Sequence, residues 1–368
     1  MSATEFGTND PLTNKAWSKK LEAEGIQESL AQKFMGKEGE AALIMHQKEL
    51  QKTAGDEITV GLSVELEGDG ALDDEVLKGK EESIDRHSQV VKIHRLRNGV
   101  KNLEGMTKQR TPYNLRNIGK NKLKTWFTKR EDVVMFNHLC GYTPETDLRY
   151  TGGNAVTAPT SARHLKANGK SNDESLVAAD KFTLEMIDYA KEKARTATIA
   201  DGTGAPITPI MINGEEHYVA FIHEYQLTDL RTTSGGRWRQ IHDALLSAST
   251  TKKNPILSGA AGIYNNTVIR VSSRITPGVS SADGTSVAST RRAVFCGAGA
   301  LVMADGGQEG GETTYSWAEE TDDFGSQQSC AASRMWGLKK SVYTPASGTS
   351  QDHATIVMAS YAAAHTGA

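Results

Sequence analysis

Cysteine is scarce in this chain. The 368 residues hold three, Cys140, Cys296 and Cys330. They lie far apart and form no Cys-x-x-Cys pair, so neither a disulfide framework nor a zinc knuckle is supported. A reducing compartment and three buried thiols are expected. Aromatic residues make up 6% and hydrophobic residues 38% of the chain, and mean hydropathy is −0.47. These values are low for a compact enzyme of this size, and they place much of the chain in arms, loops or surfaces that need partners. No stretch approaches the roughly 18 consecutive apolar residues of a membrane-spanning helix. The opening Met1-Ser-Ala-Thr-Glu-Phe-Gly has neither a basic n-region nor an apolar h-region, so no signal peptide is expected. The chain reads as soluble and made in the cytoplasm.

Recognisable catalytic patterns are also missing. There is no Gly-x-Ser-x-Gly, no His-Glu-x-x-His and no phosphate-binding P-loop. Asp323-Phe324-Gly325 matches the kinase metal-binding triplet, but no catalytic loop or strand lysine accompanies it, and it reads as a turn after a strand. Gly202-Thr-Gly-Ala carries only the first two glycines of a dinucleotide loop and lacks a βαβ setting. His217 and His223 can share one face of a strand, yet a metal site needs a third ligand. Asn265-Asn-Thr is a glycosylation sequon without meaning in a chain that is not secreted. No catalytic, cofactor-binding or metal-ligating residue is expected.

Glycine, by contrast, is plentiful at 35 residues, and the length allows one large or two medium domains with real cores. Residues 114–141 read as one long helix. Leu115, Ile118, Leu123, Trp126, Phe127, Val133, Val134 and Leu139 supply its apolar positions, while Lys120, Lys122, Lys124, Lys129 and Arg130 occupy other angles. Pro112 and Asn114 mark its start, and Gly141 followed by Pro144 marks its stop. At 1.5 Å per residue it spans roughly 40 Å, long enough to act as a spine.

Charge is arranged in blocks that the net value of −3 conceals. Between positions 56 and 82 stand ten acidic side chains against only Lys78 and Lys80. Between positions 92 and 130 stand twelve basic side chains against the single acid Glu104. Such blocks can pair within a molecule, pair between copies, or simply face solvent. Tyr113, Trp126 and Phe127 interleave with the basic segment, but these aromatics fall mostly on the helix's core face. Non-specific phosphate contact is therefore a better reading than a base-stacking platform.

Other segments fill in an α+β pattern. Residues 1–54 form a polar arm with helical pieces, one around Trp17 and Leu21 and one from Ala41 to Leu50, too thin in apolar content for a core of its own. Glu57-Ile-Thr-Val-Gly-Leu-Ser-Val alternates at period two, an acidic tip follows, and Gln89-Val-Val-Lys-Ile-His-Arg-Leu returns, giving a long two-stranded loop that needs a supporting surface. Asp173 or Ser175 is expected to cap a second helix running to about Arg195. Strands are expected at His217–His223, Thr267–Val271 and from Thr355, and a helix at Arg237–Ser249. Arg292-Ala-Val-Phe-Cys-Gly-Ala-Gly-Ala-Leu-Val-Met-Ala reads as strand, turn and small-residue helix, and residues 277–289 as a surface loop.

Several phrases, in order, carry a family resemblance: Trp17-Ser-Lys-Lys-Leu, Gly55-Asp-Glu-Ile-Thr-Val, Leu77-Lys-Gly-Lys-Glu-Glu-Ser and Gly105-Met-Thr-Lys-Gln-Arg-Thr-Pro-Tyr-Asn-Leu-Arg, then Tyr218-Val-Ala-Phe-Ile-His-Glu-Tyr-Gln-Leu-Thr-Asp-Leu-Arg and Pro255-Ile-Leu-Ser-Gly-Ala-Ala-Gly-Ile-Tyr-Asn. Arg292-Ala-Val-Phe-Cys-Gly-Ala, Asp323-Phe-Gly and Trp336-Gly-Leu-Lys-Lys-Ser close the series. Together with the order of arm, acidic loop, basic segment, spine helix and glycine-rich half, they make the chain similar to the major capsid proteins of tailed bacteriophages, of the Hong Kong 97 fold. More narrowly, it resembles the capsid family typified by coliphage N-four. It departs from that pattern at Leu77-Lys-Gly-Lys, where Glu-Gly-Asn is expected, and at His223-Glu, where His-Pro is expected.

The resemblance implies an N-terminal arm (1–54), an extended loop (55–100), a peripheral domain (101–195) with the spine helix, an axial domain (196–335) and a C-terminal return to the peripheral domain (336–368). It implies a non-enzymatic major capsid protein that forms hexamers and pentamers of an icosahedral head around double-stranded DNA. Its partners would be further copies of itself, portal and scaffolding proteins, a decoration protein and, non-specifically, the packaged DNA. No membrane is involved, and the site of action is the virion. Only about 54 residues precede the loop, so the scaffold is expected to be a separate protein. The arm is expected to be ordered only in the assembled shell. From the charge blocks, the candidate intersubunit contacts are Asp69, Asp73, Asp74 and Glu75 on the loop tip, facing Lys101, Lys108, Arg110, Arg116 and Lys120 of a neighbour. The alternative is a soluble enzyme or nucleic-acid-binding protein with an unrecognised site.

Overall fold

In the computed structural model the described residues are 30–36, 42–51, 55–63, 71–73, 75–76, 78, 86–103, 115–198, 205–212, 214–233, 238, 260–307, 314–322, 327–344 and 350–365. The chain first forms β1 (Ile44–Gln47), β2 (Glu57–Ser63), β3 (Arg86–Lys92) and β4 (His94–Leu103), then the long helix α1 (Leu115–Cys140). After α1 come β5 (His164–Lys166), α2 (Leu184–Thr196), β6 (Glu215–Ile222), α3 (Glu224–Thr233), β7 (Thr267–Val271) and β8 (Ser286–Cys296). The last elements are β9 (Leu301–Asp305), β10 (Tyr315–Asp322), β11 (Gln327–Lys340) and β12 (Thr355–Tyr361).

Two larger sheets organise these elements. The first, six-stranded, runs Met35–Gly36, β1, β9, β11, β10, with β4 also on β11. Trp336 in β11 pairs with His94 of β4 and with Asp305 of β9, so β4 holds one edge of β11. The strands β9 and β10 share the other edge end to end. The second sheet, eight-stranded, runs β5, β12, β8, β6, β7 and the short Gly262–Tyr264. Its central strands are buried over β12, most of β6 and the second half of β8, as expected of strands covered on both faces. The ribbon β2–β3 rests on the first sheet, where Ile58, Val60 and Val91 pack with Val302 and Ala304. The support that a two-stranded ribbon requires thus begins within the same subunit.

Helix α1 bridges the two sheets. Its first half is one-sided: Leu123 and Phe127 are buried against Tyr315, Trp317, Cys330 and Ala332 of the first sheet. Its last turns are buried all round, with Val134, Met135, Phe136, Leu139 and Cys140 in the main core beside Phe221, Val294 and Met358. Phe136 meets Phe221 edge-on at 5.5 Å between centroids. The helix stops at Gly141, in the left-handed region at φ 62°. Gly141 N–H donates to the His138 carbonyl and Tyr142 N–H to that of Asn137, the paired bonds of a Schellman cap.

Several expectations need correction. Ala41 to Leu50 forms no helix: it is strand β1 followed by a short 3-10 turn at Glu49–Gln51. The small-residue helix after Cys296 is strand β9, all five of whose residues are buried. A short continuous apolar run does not discriminate helix from strand, and here two strand partners decide. Helix α2 begins only at Leu184, with Thr183 at its N-cap, because Asp173 is drawn into the core by Arg292 and His164. Residues 277–289 are not all loop, since Pro277–Val279 pairs with the start of β8. Strand pairing also cuts across the expected 196–335 and 336–368 spans. Strands β9, β10 and β11 lie in the sheet that meets α1, and β12 sits inside the other sheet. Part of the arm is also seated on its own subunit: Ala31, Phe34, Leu43 and Ile44 are buried, and Phe34 packs edge-on against Phe221. Residues 1–29, the helix expected at Arg237–Ser249 apart from Trp238, the Asp323-Phe-Gly stretch and Gly202-Thr-Gly lie outside the described residues.

Candidate assembly surfaces

The face of the first sheet that meets α1 is held by a buried charge chain. Arg334, 3% exposed, lies 3.2 Å from Glu131 of the helix and 3.2 Å from Asp305 of β9. His46 of β1 closes on Asp305 at 2.5 Å. Burial opposes the Arg334 charge, yet the Tyr315, Glu131 and Asp305 groups around it hold its pKa above the usual arginine value. The Tyr315 and Trp336 rings sandwich the guanidinium within about 5 Å. Four elements, β1, β9, β11 and α1, therefore fix one another through a single cation.

Two further buried pairs lock the helix end and the second sheet. Arg292 bonds Asp173 at 2.7 Å and donates to the carbonyls of Cys140 and Gly141, which satisfies acceptors that a helix C-terminus otherwise leaves open. Burial opposes the Asp173 charge, but His164 and Arg292 hold its carboxyl below the ordinary range. Lys340 and Asp352, both fully buried, lie 2.8 Å apart. Burial lowers His138 to a pKa of about 4 despite its bond to the Thr151 carbonyl, and lowers His223 to about 4 as well. Both are neutral imidazoles at neutral pH. All three cysteines are free and buried.

On the opposite side of the first sheet the ribbon β2–β3 covers Val302 and Ala304, while the part built from β4, β10 and the first half of β11 is left bare among the described residues. Alternation along β4 sends Leu96 and Val100 toward α1 and leaves Arg95, Arg97 and Lys101 exposed on the other side. On that side the register lays Arg97 beside Ser333 and Ser316, Gly99 beside Ala331 and Ala318, and Lys101 beside Ser329 and Glu320. The result is a flat surface of small side chains with a basic row on the β4 edge. Its β10 edge carries the exposed acids Glu320 and Asp322. Arg95 reaches across to the Ser333 hydroxyl at 3.4 Å, and Lys101 sits 3.7 Å from Asp322 with both side chains about half exposed.

The nine candidate contacts fall into four groups. Asp73 and Glu75 are exposed at the loop tip, where Glu75 N–H donates to the Leu72 carbonyl and Asp73 adopts φ 46°. Leu72 and Val76 flank them at 74% and 71% exposure, so the tip offers apolar as well as acidic groups. Lys101 is exposed on the bare face. Arg116 and Lys120 are engaged inside the subunit instead. Arg116 bonds Glu319 at 2.8 Å, next to the Trp317 indole N–H on the same carboxylate, and Lys120 is 5% exposed. The helix is rotated from the expected register there, because Ile118 turns to solvent at 40% exposure. Asp69, Asp74, Lys108 and Arg110 lie outside the described residues. Arg95 and Arg97 were missed, although their alternation with Leu96 along a strand carried the signal.

Among the described residues no three metal-capable side chains come together. A half-open groove of about 510 Å³ beside α2 is lined by Lys166, Lys181, Lys193, Met186 and Tyr189, among others, with no histidine, cysteine or serine in its wall. His217 lies 3.5 Å from Glu215, and His223 is taken up by the local turn, accepting from Tyr225 N–H.

Comparison with known proteins matches residues 5–364 to the phage capsid protein family. The chain belongs to that family. It is a structural subunit of a phage head, in the role of a major capsid protein. It is 23% identical over 365 residues to the major capsid protein of Pseudomonas phage KPP25, covering 90% of each chain. Among solved structures it is similar to the capsid of Ralstonia phage GP4, with a TM-score of 0.80, 27% identity and full coverage of both chains. The capsid asymmetric unit of cyanophage Pam1 matches with a TM-score of 0.66 and 18% identity, over 92% of this chain and 94% of that one. The fold is that of the Hong Kong 97 capsid proteins.

Proposed function

We propose that this capsid protein builds hexameric and pentameric capsomers of an icosahedral head around double-stranded DNA, through contact of its acidic loop tip with the bare sheet face of a neighbour. The observation that carries this reading is the bare face itself. One side of the first sheet is covered by α1, while the other, beyond the β2–β3 ribbon, presents Arg95, Arg97 and Lys101 with no described element on top. The tip supplies the opposite charge in Asp69, Asp73, Asp74 and Glu75. Lys108 and Arg110 extend the basic side, while Arg116 and Lys120 act within the subunit. Single exposed pairs contribute about 0–1 kcal/mol, but repetition around a head-to-tail ring sets register and suppresses wrong pairings. In this reading the first sheet with the first half of α1 is the peripheral unit, and the second sheet with α2 is the axial one. Portal, scaffolding and decoration proteins are its further partners, packaged DNA contacts it non-specifically, no reaction is catalysed, and the chain is made in the host cytoplasm.

Reversing Asp73, Asp74 and Glu75 to Lys should abolish shells in negative-stain micrographs while the subunit stays folded. Adding Arg95→Glu and Arg97→Glu should restore them in part. Normal shells from the triple reversal would place the tip elsewhere.

A further inference from the structure

We propose that the solvent side of α1 is the DNA-facing side of the shell wall, and that Lys122, Lys129 and Lys33 contact duplex phosphates there. This rests on the capsid reading above and assigns its two faces. The two sides of the peripheral unit differ in charge pattern. The bare sheet face is of mixed sign, with Arg95 and Arg97 on one edge and Glu320 and Asp322 on the other, which suits a protein segment with groups of its own to pair. The exposed side of α1 has one sign. Its acids, Glu131 and Asp132, are 1% and 7% exposed and are neutralised by Arg334 and Arg274. Lys122 and Lys129 project from it into solvent, and among the described residues no carboxylate pairs with either.

Lys33 extends the same charge from the short turn Ala31–Phe34, which is pinned to the helix where Asp132 accepts the Leu30 and Ala31 N–H groups. Lys122 and Lys129 stand two turns apart, roughly 10 Å along the axis. A duplex carries a negative charge about every 1.7 Å, so any register of DNA places phosphates near both. The neighbouring aromatic Phe127 packs inward, which leaves no platform for unstacked bases and favours duplex over single strand. Such contact reads charge and not sequence.

The test is fluorescence anisotropy of a 30-base-pair duplex with the full-length unassembled subunit across a salt series. Each lysine–phosphate contact contributes roughly 0.9 to the slope of log K against log salt. Lys122→Gln with Lys129→Gln should therefore flatten the slope by about 2, whereas Arg95→Gln with Arg97→Gln should leave it unchanged. An unchanged slope in the helix variant, a slope that moves only in the sheet variant, or no salt-dependent binding by the wild type would each overturn the assignment. Micrographs of the same proteins keep the two readings apart. The helix variant should still form shells, and failure of the wild type to form any would count against the assembly reading, not against this one.

Discussion

The two halves of α1 hold the molecule in different ways. The first half presents one apolar stripe to a thin sheet, and its partner cluster is small: Leu123 and Phe127 with Tyr315, Trp317, Cys330 and Ala332. Charge does much of the fastening there and at the middle of the helix, through Arg116–Glu319 and Arg334–Glu131. The last turns, from Val134 to Cys140, are enclosed by the main core, and their cap uses charge through Arg292. A helix that is amphipathic at one end and apolar at the other joins a unit built for contact to a unit built for packing.

Breaking the charge fastening at the middle of the helix should cost as much as opening the core at its end. Arg334→Ala leaves Glu131 and Asp305 buried without their cation, which should destabilise the free subunit by about 3–5 kcal/mol in urea unfolding. Phe136→Ala probes the second half by creating a cavity beside Phe221, with an expected loss of about 3–5 kcal/mol. Phe127→Ala should fall at the low end of that range, because its smaller cluster lies nearer the surface and relaxes more easily. Equal losses for the two phenylalanines would dissolve the distinction between the halves.

Acid should act on the second half. His138 has a pKa of about 4 in the fold against 6.5 unfolded, so the unfolded state takes up its proton first. Its contribution is complete above the unfolded value and is lost as pH falls toward 4, at about 1.4 kcal/mol per pH unit. In His138→Gln the amide can still donate to the Thr151 carbonyl, and the urea midpoint should change less steeply with pH between 7 and 4. An unchanged slope would show that the proton goes elsewhere. Gly141→Ala places a Cβ 2.6 Å from Pro159 at a left-handed position and should cost about 1–2 kcal/mol, a smaller effect that weakens the cap without emptying the core. Smallest of all, Lys122→Gln with Lys129→Gln should change stability by no more than about 0.5 kcal/mol.

Much of this division was legible in the residues. The spine helix was bounded to within a residue at each end, because Gly141 and the apolar spacing are local signals. The central strands at His217, Thr267 and Thr355 were legible for the same reason. What escaped depended on distant partners. Leu301–Asp305 is a strand because β1 and β11 flank it, and nothing in its small apolar residues announces that. Ile44–Gln47 likewise becomes a strand only by lying beside β9. The buried state of Lys120 and the exposure of Ile118 invert what polarity predicts. The proposed assembly surface was half visible: the charge blocks were evident, but Arg116 and Lys120 were named and Arg95 and Arg97, which the pleat of β4 exposes, were not.

The first sheet is stitched from sequence-distant pieces. Arg95 and Ser333, neighbours across β4 and β11, are 238 residues apart, and β1 inserts beside β9 from a third region. Non-local pairing of this kind makes folding slow, because loop closure must precede any gain from contact. During synthesis α1 emerges long before β11, so the apolar stripe of its first half waits uncovered while roughly half the chain is still to be made. A chain cut short before β11 cannot form the open sheet face at all. If that face is the proposed docking surface, completion of translation acts as a checkpoint on the supply of building blocks.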